Sequence, residues 1–185
     1  MHTTIPFSRQ QRITNTLLLN ASFIDNLGLM HGKMGIAIYF FHLARETENQ
    51  IYEDYAGELI DEIYEEISIK TPCDFENGLA GIGWGIEYLV QQGFVEADTD
   101  EVFESIENQL QSSLNQFQGI GLLNGLTGLG AYYLKRLQNT TSSDEKATTP
   151  LNKQMLVKLI NELEQRINSD RIATLINRTE IFDLT

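Results

Sequence analysis

Three histidines and one cysteine are the side chains of this 185-residue chain whose chemistry suits proton transfer or nucleophilic attack. His31 sits in Leu29-Met30-His31-Gly32, His42 lies eleven residues further on, and His2 is terminal. Imidazole titrates close to neutral pH, so a histidine in a turn can serve as acid or base, whereas one on an apolar helix is more often hydrogen-bonded in a core. Cys73, in Pro72-Cys73-Asp74, would be a reactive thiolate only with a depressed pKa, and Asp74 and Glu76 beside it act the other way. A structural thiol is the reading its neighbours favour. One cysteine cannot form an internal disulfide or complete a zinc site of two or more thiolates within the chain, and it fits a reducing compartment. Asp74 and Glu76 also give a thin basis for the paired-carboxylate chemistry of glycoside hydrolysis.

The charge balance narrows the partners. The formal charge is −13, with 26 acidic and 13 basic residues, and the sequence pI is about 4.5. Such a surface does not gather phosphate backbones or anionic lipid, so nucleic acid is not expected as a partner. Eighteen of the acidic residues and one basic residue, Lys70, lie between Glu46 and Glu107, a local balance of −17. The acids are interleaved with periodic apolar positions, as in YEDYAGELIDEIYEEISIK, which reads as a solvated outer helix face rather than a dedicated site for a basic partner. The first twenty residues hold only the short apolar run Leu17 to Leu19, too little for a secretory signal, which points to the cytoplasm. The stretch Met34 to Ala44 is well short of the ~20 residues that span a bilayer.

The elements that would position these groups are set by a repeat. His31-Gly32-Lys33-Met34-Gly35-Ile36, Asn77-Gly78-Leu79-Ala80-Gly81-Ile82 and Asn124-Gly125-Leu126-Thr127-Gly128-Leu129 align without gaps, their first glycines 46 and 47 residues apart. After each pair comes a segment apolar nearly all round, GIAIYFFHLA, GIGWGIEYLV and GLGAYYLKRL, as expected for a helix surrounded by protein. Between them run segments with one apolar stripe: Tyr55, Leu59, Ile63, Ile67; then Val102, Ile106, Leu110, Leu114; then Met155, Leu159, Leu163, Ile167. Steps of four place each set on one helical face. Residues 8–20, with Ile13 and Leu17, supply a similar helix at the start.

Alternating one-sided and all-round apolar helices imply two layers. The fold class is therefore all-α, an α/α toroid or solenoid left incomplete at about three and a half helical hairpins. The chain reads as one partial domain over 1–185, with repeats near 8–45, 51–92 and 97–138 and a further outer helix and tail over 150–185. Inner helices should start near Gly32, Gly78 and Gly125, and outer ones should cover about 51–69, 98–114 and 151–167. The low-complexity run QNTTSSDEKATT, Gln138 to Thr149, is expected to be the most mobile loop.

A polar residue followed by Gly-x-x-Gly has a use that needs no chemistry. Asn77 and Asn124 can cap the first helical turn, while the glycines Gly32, Gly35, Gly78, Gly81, Gly125 and Gly128 permit tight turns and close approach. Helix N-termini gathered at one end of a ring also make a partly positive concave site. In this frame His31 aligns with Asn77 and Asn124, so capping explains it as well as acid/base work does. Trp84, Tyr88, Tyr132 and Tyr133 on the inner helices are either core or the lining of a peptide groove. Asp25 and Asp74 stand before glycine motifs, as loop-turn residues or at the ring mouth.

The segments GLMHGKMGIAIYFFHLAR, DFENGLAGIGWGIEYLV and GLLNGLTGLGAYYLKRL resemble the repeat signature of the lanthionine synthetase C-like family, directly over about 25–137 and by pattern in the helices between. The resemblance implies an α/α toroid with glycine motifs at the inner-helix starts. It implies also a zinc-dependent cyclase that adds a cysteine thiolate of a ribosomal precursor peptide across a dehydrated residue to make a thioether ring. Zinc there is held by two cysteines and a histidine, and it favours the thiolate at neutral pH. Leu-Met-His-Gly resembles the family's His-Gly motif, which makes His31 the candidate catalytic acid/base. The family's zinc-binding motifs do not occur in this sequence, so no cofactor is expected in this chain, and zinc only in a complete member or an assembled complex. The chain thus resembles the N-terminal half of such a protein, inactive alone, with the precursor peptide or a second half of the toroid as partner, or a second copy in a homo-oligomer. A non-catalytic peptide- or protein-binding module is the other reading. Residues 170–185, with no glycine near the next expected position, 172, would form an apolar edge through which the chain associates.

Overall fold

The computed structural model describes residues 8–97, 99–138 and 149–168. Its elements are α1 (Arg9–Asn20), α2 (Lys33–Thr47), α3 (Gln50–Glu66), α4 (Leu79–Gln91), α5 (Thr99–Ser113), α6 (Leu126–Gln138) and α7 (Thr149–Asn168), with short 3-10 turns at Ala21–Phe23 and Leu114–Gln116. The described residues contain no β-strand, only an isolated bridge between Gly119 and Gly125. The all-α expectation holds, and α2, α4 and α6 start one residue after Gly32, Gly78 and Gly125.

The layers follow from burial. In α4 nine residues from Leu79 to Leu89 are buried, whereas α3 buries only Ala56, Leu59 and Ile63 and turns its acids to solvent. α4 packs between α2 and α6, and each of these inner helices packs against the outer helix that follows it: α3, α5 and α7 respectively. Two glycines set these distances. A Cβ at Gly83 would meet the Tyr132 ring at 2.5 Å, and one at Gly85 would meet Met34 Sδ at 2.6 Å. Two helical residues are about 200° apart, so one glycine admits α6 and the other α2 on opposite sides of α4. The joint core is built by Met34, Phe40, Leu59, Leu79, Tyr132 and Leu159, all fully buried.

Stripe positions Leu59, Ile63, Ile106, Leu110, Leu114, Met155 and Leu159 are buried; the side chain of Val102 lies outside the described ones. Two differences mark the ends. On α1 Ile13 is 46% exposed and Thr14 is buried instead, its hydroxyl 2.6 Å from Tyr39 Oη, so a cross-helix hydrogen bond rather than the apolar pair sets how α1 rolls. At the last stripe Ile167 is 45% exposed. The loop expected over 138–149 lies, from 139 to 148, outside the described residues, as does the edge expected over 170–185.

Candidate functional site

The loops before α2, α4 and α6 share one backbone design. The first helical N–H of each is bound by a carbonyl seven residues upstream: Lys33 N donates to Asn26 O at 2.8 Å, Leu79 N to Pro72 O at 2.8 Å, and Leu126 N to Gly119 O at 3.1 Å. Those carbonyls lie against the glycines. A Cβ at Gly32, Gly78 or Gly125 would stand within 3.0 Å of the carbonyl oxygen six residues back, and so would one at Gly35, Gly81 or Gly128. Gly32 (φ −132°) and Gly78 (φ −121°) are extended, so these glycines are required for space and not for a left-handed backbone.

This corrects the capping roles expected of His31 and Asn77. The N-caps of α2 and α4 are Gly32 and Gly78, and neither helix has a side-chain cap. Asn77 instead accepts a hydrogen bond at Oδ1 from Asn26 Nδ2 (2.7 Å), and its backbone N–H donates to Asp74 Oδ1 (2.7 Å). Asn124 is exposed. Orphan donors at a helix start can be met by any acceptor, and here the preceding loop's own carbonyl meets them.

Successive loops are stitched together. Met30 N donates to Glu76 O at 2.9 Å, and Phe75 N and Glu76 N both donate to Leu123 O at 2.9 Å. Met30, Glu76 and Leu123 occupy equivalent places in the three repeats, so each loop leans on the next. This contact brings His31 to Glu76, with Nε2 3.1 Å from Oε1; the imidazole is 68% exposed and the carboxylate 22%. Asp25 is exposed, and Asp74 serves its own turn.

The zinc set implied by the resemblance does not fit these residues. Cys73 is the chain's one cysteine and is half-buried. Among the described residues no three His, Cys, Asp or Glu side chains converge as metal ligands.

The aromatic candidates divide. Tyr132 and Tyr133 are fully buried, so they are core and not groove lining. Burial and the Glu107 carboxylate raise the Tyr132 phenol well above its ordinary value. Trp84 and Tyr88 are half-buried on α4, stacked with centroids 5.4 Å apart and rings 8° from parallel. His42 is exposed rather than core; its Nε2 lies 2.8 Å from Tyr88 Oη.

Two buried charge clusters escaped sequence reasoning. Arg136, 4% exposed, donates from Nε to Glu107 Oε1 at 3.1 Å and from Nη1 to Glu87, itself fully buried. Lys33, whose side chain is 3% exposed, pairs with Glu62 (2.9 Å) and Glu66 (2.7 Å). Burial acts to lower the Lys33 pKa, but the hydrogen bonds and charges of Glu66 and Glu62 outweigh it and leave it raised. The signal was present: a lone charge inside an all-round apolar helix, such as Glu87 in GIGWGIEYLV, must have a partner.

Among known proteins, the family model described as "Lanthionine synthetase C-like protein" matches residues 24–176. No curated protein and no solved structure matches the chain. Among the described residues no helix is long and apolar enough to cross a membrane.

Proposed function

The chain belongs to the lanthionine synthetase C-like family, and on that premise we propose that it serves thioether ring formation on a ribosomal precursor peptide as an N-terminal, peptide-holding portion, inactive alone. The carrying observation is a mismatch of parts. The inner-helix frame and its stitched glycine loops are intact, while the thiolates a cyclase zinc ion needs are missing, since Cys73 stands by itself. Zinc, when held by ligands from another chain or segment, supplies the acidity that makes a peptide thiol a thiolate. In this reading the chain's own residues hold and orient the peptide, and the exposed His31, whose Nε2 lies 3.1 Å from Glu76 Oε1, is assigned the proton transfer.

The test uses the purified chain and a peptide bearing one cysteine and one dehydroalanine, with ring closure read as loss of the alkylatable thiol. The expected result is far less than one equivalent of zinc by elemental analysis, no closure by the chain alone, and retention of the peptide. Closure by the chain alone, or one equivalent of tightly held zinc, overturns this assignment. The reading as a non-catalytic binding module is favoured by the lack of a converging ligand set among the described residues. It predicts that no added partner restores closure.

A further inference from the structure

The first repeat departs from the other two at one buried position. The residue after the first glycine is Leu79 in the second repeat and Leu126 in the third, both fully buried, whereas in the first it is Lys33, also buried at 2% exposed. An ammonium there costs desolvation and opposes the helix dipole at the start of α2. Its Nζ offsets this by holding two carboxylates from the end of α3, Glu62 at 2.9 Å and Glu66 at 2.7 Å. A leucine would fill the same place without that penalty, so what sets the first repeat apart is where Lys33 fixes those carboxylates.

Glu66, fixed in this way, lines a cavity of about 410 Å³ where the loop before α2, the end of α3 and the loop before α4 meet. Asp25 and Asn26 reach it from the first of these loops, Ser68, Lys70 and Asn77 from the second. The volume suits a small molecule. Asn26 Oδ1 accepts from Gly28 N at 2.8 Å and its Nδ2 donates to Asn77 Oδ1 at 2.7 Å, which leaves Asn77 Nδ2 as a donor without a partner among the described residues. The Asp25 carboxylate and the Lys70 ammonium likewise form no ion pair among the described residues. With Lys33 and Glu62 behind the wall, the site holds three carboxylates and two ammonium groups, a balance of −1. Its complement carries a carboxylate for Lys70 and Asn77, ammonium groups for Asp25 and Glu66, and a net charge of +1.

We propose that this cavity binds a free basic amino acid, with the α-carboxylate on Lys70 Nζ and Asn77 Nδ2 and the two ammonium groups on Asp25 and Glu66. The inference goes beyond the thioether reading and does not rest on it, since the cavity is built by residues other than His31, Glu76 and Trp84.

Isothermal titration calorimetry of the full chain with L-lysine is the test, with glycine and 1,5-diaminopentane as partial ligands. Lysine should bind saturably at one site per chain. Each partial ligand should bind about tenfold or more weakly, because glycine leaves one carboxylate unanswered and the diamine leaves Lys70 unanswered. Asp25→Asn should weaken lysine binding about tenfold, whereas Lys70→Gln should weaken lysine but not the diamine. Both residues are exposed, so neither change removes core packing, and circular dichroism checks that the helices remain. Heat that does not saturate at millimolar lysine, equal affinity for lysine and the diamine, or affinity for lysine unmoved by the two substitutions overturns the site. Retention of the precursor-like peptide is read in a separate titration, so any of these failures leaves the peptide-holding role standing.

Discussion

Replacing Gly81 by alanine tests whether the glycine pairs are there for space. Alanine in a helix is favoured over glycine by roughly 0.5–1 kcal/mol, because glycine has more backbone freedom to lose. At Gly57 in α3 and Gly130 in α6 a Cβ would meet nothing within 4 Å, so Gly57→Ala and Gly130→Ala should show that gain alone. At Gly81 the added carbon would overlap the Phe75 carbonyl oxygen and stand 3.0 Å from Leu29 Cβ. Phe75 cannot easily yield, since its N–H is bound to Leu123 O at 2.9 Å. Overpacking of this kind costs about 1–3 kcal/mol, which outweighs the propensity gain. The propensity gain is common to all three variants, so the gap between Gly81→Ala and the two controls should be the overpacking cost alone, about 1–3 kcal/mol. With roughly 2–4 °C of midpoint per kcal/mol for a chain of this size, that is a separation on the order of 2–12 °C. Thermal unfolding followed at 222 nm reads it, and Gly81→Val should fall further still. A Gly81→Ala midpoint at or above that of Gly57→Ala would show that the loop carbonyls do not need these glycines, and the account of the repeat would fail.

Two further perturbations probe the core. Tyr133 Oη is buried without a hydrogen-bond partner among the described residues, so Tyr133→Phe should stabilise by about 1 kcal/mol through removal of an unsatisfied hydroxyl. Tyr132→Phe, which gives up a 3.4 Å bond to Glu107, should not; equal midpoints for the two variants would refute the distinction. Lys33 has a folded-state pKa raised above 10.5, so its stabilising share is complete below that pH and is lost as pH climbs through the folded value. Lys33→Met should therefore lose less stability than the wild type between neutral pH and the region above 10.5 in urea titrations, and parallel curves would refute the pairing with Glu62 and Glu66.

The layers were readable in the sequence because burial on all sides and burial on one side leave different hydropathy patterns, as GIGWGIEYLV and YEDYAGELIDEIYEE illustrate. Helix starts were readable because the glycines recur at fixed spacing. Which group meets the helix-start donors was not: an asparagine side chain and a loop carbonyl satisfy the same N–H, and only the backbone path, with Asn26, Pro72 and Gly119 folded back under Gly32, Gly78 and Gly125, decides between them. Similarly, Trp84, Tyr88, Tyr132 and Tyr133 look alike as inner-helix aromatics. Their fates diverge because a helix turns about 100° per residue, so Tyr132 and Tyr133 fall on the packed side of α6 while Trp84 and Tyr88, four residues apart, share a half-buried side of α4. The pairing of His31 with Glu76 depends on two loops 46 residues apart being laid side by side, which local pattern does not encode.

Charge is sorted between the layers in a way that gives the inner face its direction. On α3 the acids Glu53, Asp54, Glu58, Asp61 and Glu65 are exposed and give the outer layer a negative surface. On the inner helices the acid Glu87 is fully buried and bonded to Arg136, which hides it from any ligand, while Lys135, the neighbouring residue on α6, is directed onto the Trp84 and Tyr88 rings. Consecutive helical residues point about 100° apart, so Arg136 can neutralise the interior as Lys135 faces outward. Exchanging the two would leave Glu87 buried beside the less suitable cation, since the planar guanidinium bonds two carboxylates at once whereas a lysine ammonium is a single point of charge. The Lys135-Arg136 pair thus divides two tasks between adjacent positions: Arg136 closes the joint among α4, α5 and α6, and Lys135 packs over the Trp84 and Tyr88 rings.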